Sequence, residues 1–333
     1  MLAGASIGCA DDGTGSPGDT REPGDPVDVT TAQPVDTVIK SVLELDPLPS
    51  AATLPNAAAS TGTVSAAPPS RIDGNLDAAG VASGFDAALT TALDPTDEPS
   101  AAGAGVELQL LLRYLANHAD LDADVLAALD PVSRSVVAPI VAARQFGQAR
   151  AAADPTPSPL SPTLPAWTIV EPLPAETLRG YYDEAEVITG VPWFWLAAIN
   201  LQETRMGRIV GVSSAGAVGP MQFLPSTWAE CCIGDPTVPR DAVLGAATYL
   251  LQGGAPGDMQ AAVHQYNPND SYVMAVTAYA EILRDHPTLF AAFHAWQVFA
   301  GSSAGTIRLP VGYSATTPID AAAYATEHPD DLG

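Results

Sequence analysis

Residues Val191–Trp228 read VPWFWLAAINLQETRMGRIVGVSSAGAVGPMQFLPSTW. Pro192 followed by an apolar run at helical spacing predicts a helix over 192–206. On such a helix Leu196, Ile199, Glu203 and Met206 are separated by three, four and three residues and share one face. Glu203 therefore falls on the apolar stripe and not on the solvated side. A carboxyl among apolar neighbours holds its proton more tightly than one in water, which is what a general acid working near neutral pH requires. The simpler alternative is a helix-end glutamate paired with Arg205 or Arg208. Gly207, Gly211, Gly216 and Gly219 then predict a loop, with room for a short irregular hairpin within 207–222.

Outward from this stretch the periodicity is almost wholly helical. Helices are predicted at 176–189, 225–231, 241–252, 257–265, 269–285 and 287–298, with no convincing strand alternation. The fold class is mainly α, with a principal unit over about 165–313. All five tryptophans lie between 167 and 296. Residues 104–150 form a small helical unit, in which Val106, Leu108, Leu110–Leu112 and Leu115 precede a stop-and-restart signal at Asp130-Pro131. It is too small to stand alone and must dock. The Pro-rich stretch DPTPSPLSPTLP (154–165) reads as an extended spacer. Residues 10–103 carry a single aromatic, Phe85, and their Ala/Asp/Pro/Thr/Ser/Gly composition predicts a disordered tether. Residues 314–333 read as a loose acidic tail.

The first nine residues, MLAGASIGC, look like the end of a bacterial lipoprotein signal, which would lipidate Cys9 and place the chain outside the cytoplasm, associated with the cell wall. A chance cysteine in an Ala/Gly-rich terminus is the alternative. No run of about 18 apolar residues predicts a membrane-spanning helix. The formal net charge of -25 disfavours nucleic acid as a partner. Cys231 and Cys232 are adjacent. A bridge between neighbours is strained, so two packed thiols are the simpler expectation. Neither has His or Cys partners at zinc spacing, and His264, His286 and His294 are scattered, so no metal or cofactor is expected. A monomer is expected.

Several short motifs in order carry a family resemblance over about 165–310. Glu203-Thr204, Ser213-x-x-Gly216-Ala217-x-Gly219-x-Met221-Gln222, Pro225-Ser226-Thr227 and Tyr266-Asn267 resemble the lytic murein transglycosylases of the lysozyme-like superfamily. Val191-Pro192-Trp193, Met206-Gly207-Arg208 and Gly219–Pro225 also resemble elements of the secreted types from high-GC Gram-positive bacteria. The resemblance implies a lysozyme-like domain acting on peptidoglycan glycan strands, with Glu203 as acid and then base and 1,6-anhydromuramoyl ends as product. It implies substrate contacts from Ser213, Met221, Gln222, Tyr266 and Asn267, with the Tyr266 hydroxyl bonded to the catalytic carboxylate and Asn267 orienting that turn. Trp193, Trp195, Trp228 and Tyr249 are expected in the core more than against sugar. Leu224, Thr204 and Pro268 depart from the family pattern. Ordinary glycosidases use two carboxyl groups. Glu230, Asp235, Asp241, Asp258 and Asp270 are the nearby candidates, and none has an apolar setting like that of Glu203. A hydrolytic muramidase similar to goose-type lysozyme and a non-catalytic wall-binding module are the competing readings.

Overall fold

A computed structural model of the protein describes residues 69–333 apart from positions 95 and 97. Cys9 and most of the stretch expected as a tether lie outside the described residues. The described chain is mainly helical. Its helices are α1 Ala78–Ala92, α2 Glu98–Asn117, α3 Asp122–Ala128, α4 Pro131–Ala153, α5 Ala175–Thr189, α6 Trp193–Thr204, α7 Pro225–Cys231, α8 Pro239–Gln252, α9 Met259–Tyr266, α10 Asp270–Asp285, α11 Leu289–His294 and α12 Ala321–Glu327. Three two-stranded antiparallel ribbons complete it. They pair β1 (Thr163–Leu164) with β6 (Ile319–Asp320), β2 (Thr168–Ile169) with β3 (Ile209–Val210), and β4 (Val298–Ser302) with β5 (Gly305–Leu309).

Local chemistry sets the helix ends. Asp77 caps α1 by accepting from the Gly80 N–H, and Asp130 caps α4 by accepting from Val132 and Ser133, with Pro131 at the first helical position. Gly190 takes the left-handed conformation that closes α5 (φ 74°). Asn269 caps α10. That helix is central: it packs against α6 on one side and α4 on another. A single apolar core therefore runs from Phe85 and Leu111 through Leu196 and Tyr279 to Phe293. The helical unit over 104–150 shares this core and does not form one of its own.

Four expectations are corrected. Residues 78–103 are not tether, because α1 and the start of α2 occupy them. Composition misled there. Alanine is the best helix former, and Val81, Phe85, Ala88, Leu89 and Ala92 bury one face of α1. Small residues also let helices touch: a side chain at Gly105 would strike the Ala292 carbonyl at 2.2 Å. The acidic tail is folded, since β6 pairs with β1 and a buried Arg308–Asp331 ion pair (2.5 Å) ties its end to β5. The helix expected over 287–298 stops at His294, and residues from Val298 onward form the β4–β5 hairpin. The end of the Pro-rich spacer is strand β1. Leu164, Ile169, Val298, Ala300, Ile307, Leu309, Tyr313 and Ala321 make a second, smaller core under these ribbons.

Phe85 is fully buried (0% exposed). Phe85→Ala should therefore cost about 3–5 kcal/mol in urea unfolding. A loss below about 0.5 kcal/mol would show that α1 contributes nothing to the fold.

Candidate active site

Glu203 sits in the last turn of α6, with Leu196 and Ile199 of its stripe fully buried behind it. The helix ends at Thr204, shorter than expected. Arg205, Met206 and Gly207 follow with φ of 54°, 61° and 85°, so Met206 reaches the core through a left-handed turn and not by continuing the helix. Among the described residues the non-glycine positions with positive φ are Arg205, Met206 and Gln222. Strain of this kind collects at functional sites, and here it lies immediately after Glu203 and in the glycine-rich loop.

Neither arginine forms an ion pair with Glu203. The Arg205 guanidinium bonds back to the Leu201 carbonyl. Arg208 pairs with Glu171 (3.3 Å) and donates to the His294 carbonyl (3.1 Å). The partner of Glu203 is Tyr272, whose Oη donates to Oε1 at 2.6 Å. Glu203 as a residue is half-buried. Burial pushes its pKa from the ordinary 4.5 up to about 7, against the opposing pull of the Tyr272 hydrogen bond and the Arg205 charge.

Tyr266 was expected in that role and does not fill it. Its Oη donates to the Met221 carbonyl at 2.6 Å. It stays within the electrostatic reach of Glu203: burial first, and then the Glu203 charge, hold both tyrosine hydroxyls well above the ordinary tyrosine range. Sequence reading missed Tyr272. The available signal was its place on α10, four residues before Val276 and seven before Tyr279, on the buried face of that helix. A tyrosine on such a face needs a partner for its hydroxyl. Asn269 accepts from the Ser271 and Tyr272 N–H groups (2.9 and 3.2 Å) and fixes where the tyrosine starts. Asn267 is buried just after α9, and its carbonyl accepts from Asn269 (2.7 Å), so it links the Tyr266 and Tyr272 segments.

The glycine-rich loop is held by its own bonds. Ser213 Oγ accepts from the Ala217 N–H (2.9 Å), while the Ser213 N–H donates to the Ala217 carbonyl (3.0 Å). The hydroxyl hydrogen is left for another acceptor. Gln222 donates through N–H and Nε2 to the Gly219 carbonyl (3.1 and 2.9 Å). Gly219 has φ 76°, and a side chain there would meet the Pro236 carbonyl at 1.8 Å, so no other residue fits. Met221 is 0% exposed. Its side chain belongs to the core and presents no surface to a substrate, which corrects its assignment as a substrate contact. No hydrogen bond joins Ser213 or Gln222 directly to Glu203.

Phe223 gathers Trp228, Tyr249 and Tyr266 around it, with ring centroids 5.1, 6.1 and 5.4 Å away. Trp193, Trp195 and Trp228 are buried. Cys231 and Cys232 form a disulfide, contrary to the expected free thiols. The helix ends between them, and Cys232 leaves it with an extended backbone that lets the sulfurs meet. Among the described residues no His, Cys, Asp and Glu group could hold a metal ion, and no helix is long and apolar enough to cross a membrane.

Of the five other candidate carboxylates, four are engaged elsewhere. Asp258 caps α9 and Asp270 pairs with Arg150 (3.1 Å). Asp235 holds Thr237, and Asp241, inside the first turn of α8 and not at its cap, accepts from the Asp235 N–H. Glu230 is exposed. The groups that act on the Glu203 charge are Tyr272 and Arg205, with no second carboxylate among them.

A carboxyl raised by burial favours the protonated fold. That contribution is complete below about 4.5 and is lost as pH rises through about 7. Glu203→Gln should therefore stabilise the protein at pH 8 by roughly 1–3 kcal/mol, with the gain vanishing below about pH 4.5. Parallel thermal melts across pH check this. A gain independent of pH would refute the raised pKa.

No family model matches the chain, and no solved structure matches it. Among curated proteins it is similar to the membrane-bound lytic murein transglycosylase F of Thiobacillus denitrificans (strain ATCC 25259 / T1), at 34% identity over 73 residues. Those residues are 22% of this chain and only 15% of that protein, so the chain matches a small part of the relative's length. Over that local stretch the chain is similar to a lytic murein transglycosylase.

Proposed function

We propose that the chain is a peptidoglycan lytic transglycosylase that cleaves the bond between N-acetylmuramic acid and N-acetylglucosamine with Glu203 as its one acid/base group. A lysozyme-like domain over 165–313 would carry the site, in a wall-associated, extracytoplasmic protein. The observation that carries the reading is the carboxyl of half-buried Glu203, raised to about 7 and held by Tyr272. The local likeness to a murein transglycosylase supports the substrate class.

A group titrating near 7 is protonated often enough at neutral pH to donate and basic enough afterwards to accept. Protonated Glu203 gives its proton to the glycosidic oxygen as the bond to C1 breaks. The Tyr272 hydrogen bond and the Arg205 charge both favour the carboxylate left behind. That carboxylate then takes the proton from the C6 hydroxyl of the muramic acid as its oxygen closes on C1. The product is a 1,6-anhydro ring, and no water is consumed. This route needs no second carboxylate, and among the described residues Asp235, Asp241, Asp258 and Asp270 each have partners elsewhere. Ser213 and Gln222 stand as substrate contacts from the glycine-rich loop. Tyr266 and Asn267 support the wall beside it.

Mass spectrometry of fragments released from purified peptidoglycan tests the proposal. Wild type should release muropeptides whose ends lack one water, and Glu203→Gln should lower the rate by about 10²–10⁴-fold. Reducing ends in place of anhydro ends would make the enzyme a hydrolase. Equal turnover by both proteins would overturn the assignment of Glu203.

A further inference from the structure

The loop that carries Gln222 and the helix that carries Glu203 are joined at one atom, the carbonyl oxygen of Pro220. Two side chains of α6 donate to it: Asn200 Nδ2 at 2.7 Å and Thr204 Oγ1 at 2.6 Å. A carbonyl oxygen has two lone pairs, and these two bonds fill both. Asn200 is 1% exposed and Thr204 is 0% exposed, so water cannot substitute for either donor.

Each donor is itself aimed by a further bond. Tyr182 Oη, from α5, donates to Asn200 Oδ1 at 2.6 Å. Only one orientation of the amide satisfies both neighbours, because the Pro220 carbonyl can only accept. Thr204 Oγ1 accepts from the Gly207 N–H at 3.0 Å and from Asn200 Nδ2 at 3.2 Å, which leaves its hydrogen for Pro220. The next carbonyl along, that of Met221, takes the Tyr266 hydroxyl. Consecutive carbonyls of the loop are thus pinned from two sides, and the residue after them is the strained Gln222 (φ 50°).

We infer that Asn200 and Thr204 are positioning residues that fix the Gly219–Gln222 turn relative to Glu203 through the Pro220 carbonyl, with Tyr182 orienting the Asn200 amide. Thr204 is one residue and Asn200 three residues from Glu203, so the turn and the carboxyl are referenced to the same turn of helix. The consequence for turnover rests on the reading of Glu203 as the acid/base group, whereas the holding of the turn does not. A displaced turn would move Gln222 against a carboxyl that stays in place, and small misplacements of positioning groups are costly in rate.

The full chain is compared as wild type, Thr204→Val, Thr204→Ser and Asn200→Asp. Valine keeps the shape of threonine but removes both the donor to Pro220 and the acceptor of the Gly207 N–H, and serine keeps both. Aspartate keeps the acceptor for Tyr182 and loses the donor to Pro220. Two readouts are taken well below each melting temperature: amide hydrogen exchange by peptide, and release of muropeptides. Thr204→Val should raise exchange selectively over residues 213–223 and lower kcat by about 10- to 100-fold, and Thr204→Ser should restore both. Asn200→Asp should behave like Thr204→Val; if it does not fold, the valine and serine pair decides alone. Unchanged exchange over 213–223, or a rise spread evenly along the chain, would overturn the inference. So would increased exchange with undiminished turnover. If wild type releases no muropeptides in a Glu203-dependent way, the proposed function fails, and the exchange arm still shows whether the turn is held by these two donors.

Discussion

The Glu203 carboxyl is subject to two opposed forces, and the architecture around it follows from their balance. Burial on the α6 stripe favours the neutral acid. The Tyr272 hydroxyl and the Arg205 charge favour the anion. Were burial alone at work, the group would hold its proton too firmly to give it up. With full exposure it would lose the proton well below neutral pH. Tyr272 can set this balance only if α10 is rigid against α6. That helix is clamped because α4 packs on it from another side. The N-terminal helices therefore contribute to the site indirectly: α1 to α4 complete the core that holds α10.

The second constraint is the backbone immediately after Glu203. Two residues with side chains occupy the left-handed region, followed by a glycine in the same region. This reverses the chain within one turn of the helix end and brings the glycine-rich loop back over α6. Such a conformation is costly for Arg205 and Met206, and it persists because their surroundings fix it. The Met206 side chain is buried, the Arg205 guanidinium bonds back to α6, and Gly207 donates to Thr204. The turn thus sets the glycine-rich loop against the end of α6 that bears Glu203, where Asn200 and Thr204 hold the Pro220 carbonyl.

Much of this was legible in the residues. The three-four-three spacing of Leu196, Ile199, Glu203 and Met206 placed the carboxyl on the apolar face, and the glycines marked the loop. The helices from α5 to α10 follow from the same periodicity. What was lost had physical causes. Alanine-rich α1 resembles a disordered segment by composition, because composition does not register that alanine buries well against glycine and leucine. The β4–β5 hairpin is short and sits next to a helix of similar apolar content, so periodicity ran the two together. The identity of the tyrosine on Glu203 depends on how α10 faces α6, a tertiary relation that local spacing does not encode. Tyr266 lies in the more recognisable motif, yet the hydrogen bond goes to Tyr272. Met221 also belongs to a recognisable motif, and its side chain turned out to be core. A motif fixes the path of the backbone more reliably than it fixes which side chains face the cleft.

The proposed chemistry depends on the protonation state of Glu203, and that state can be read without any substrate. Infrared difference spectra between wild type and Glu203→Gln, recorded across pH on protein labelled with ¹³C in its glutamate carboxyls, isolate the C=O stretch of this single acid. A midpoint near 7 is the result expected of a carboxyl held between burial and Tyr272. A midpoint near 4 would mean that the group is solvated like any surface glutamate, and the acid/base role given to it would not stand.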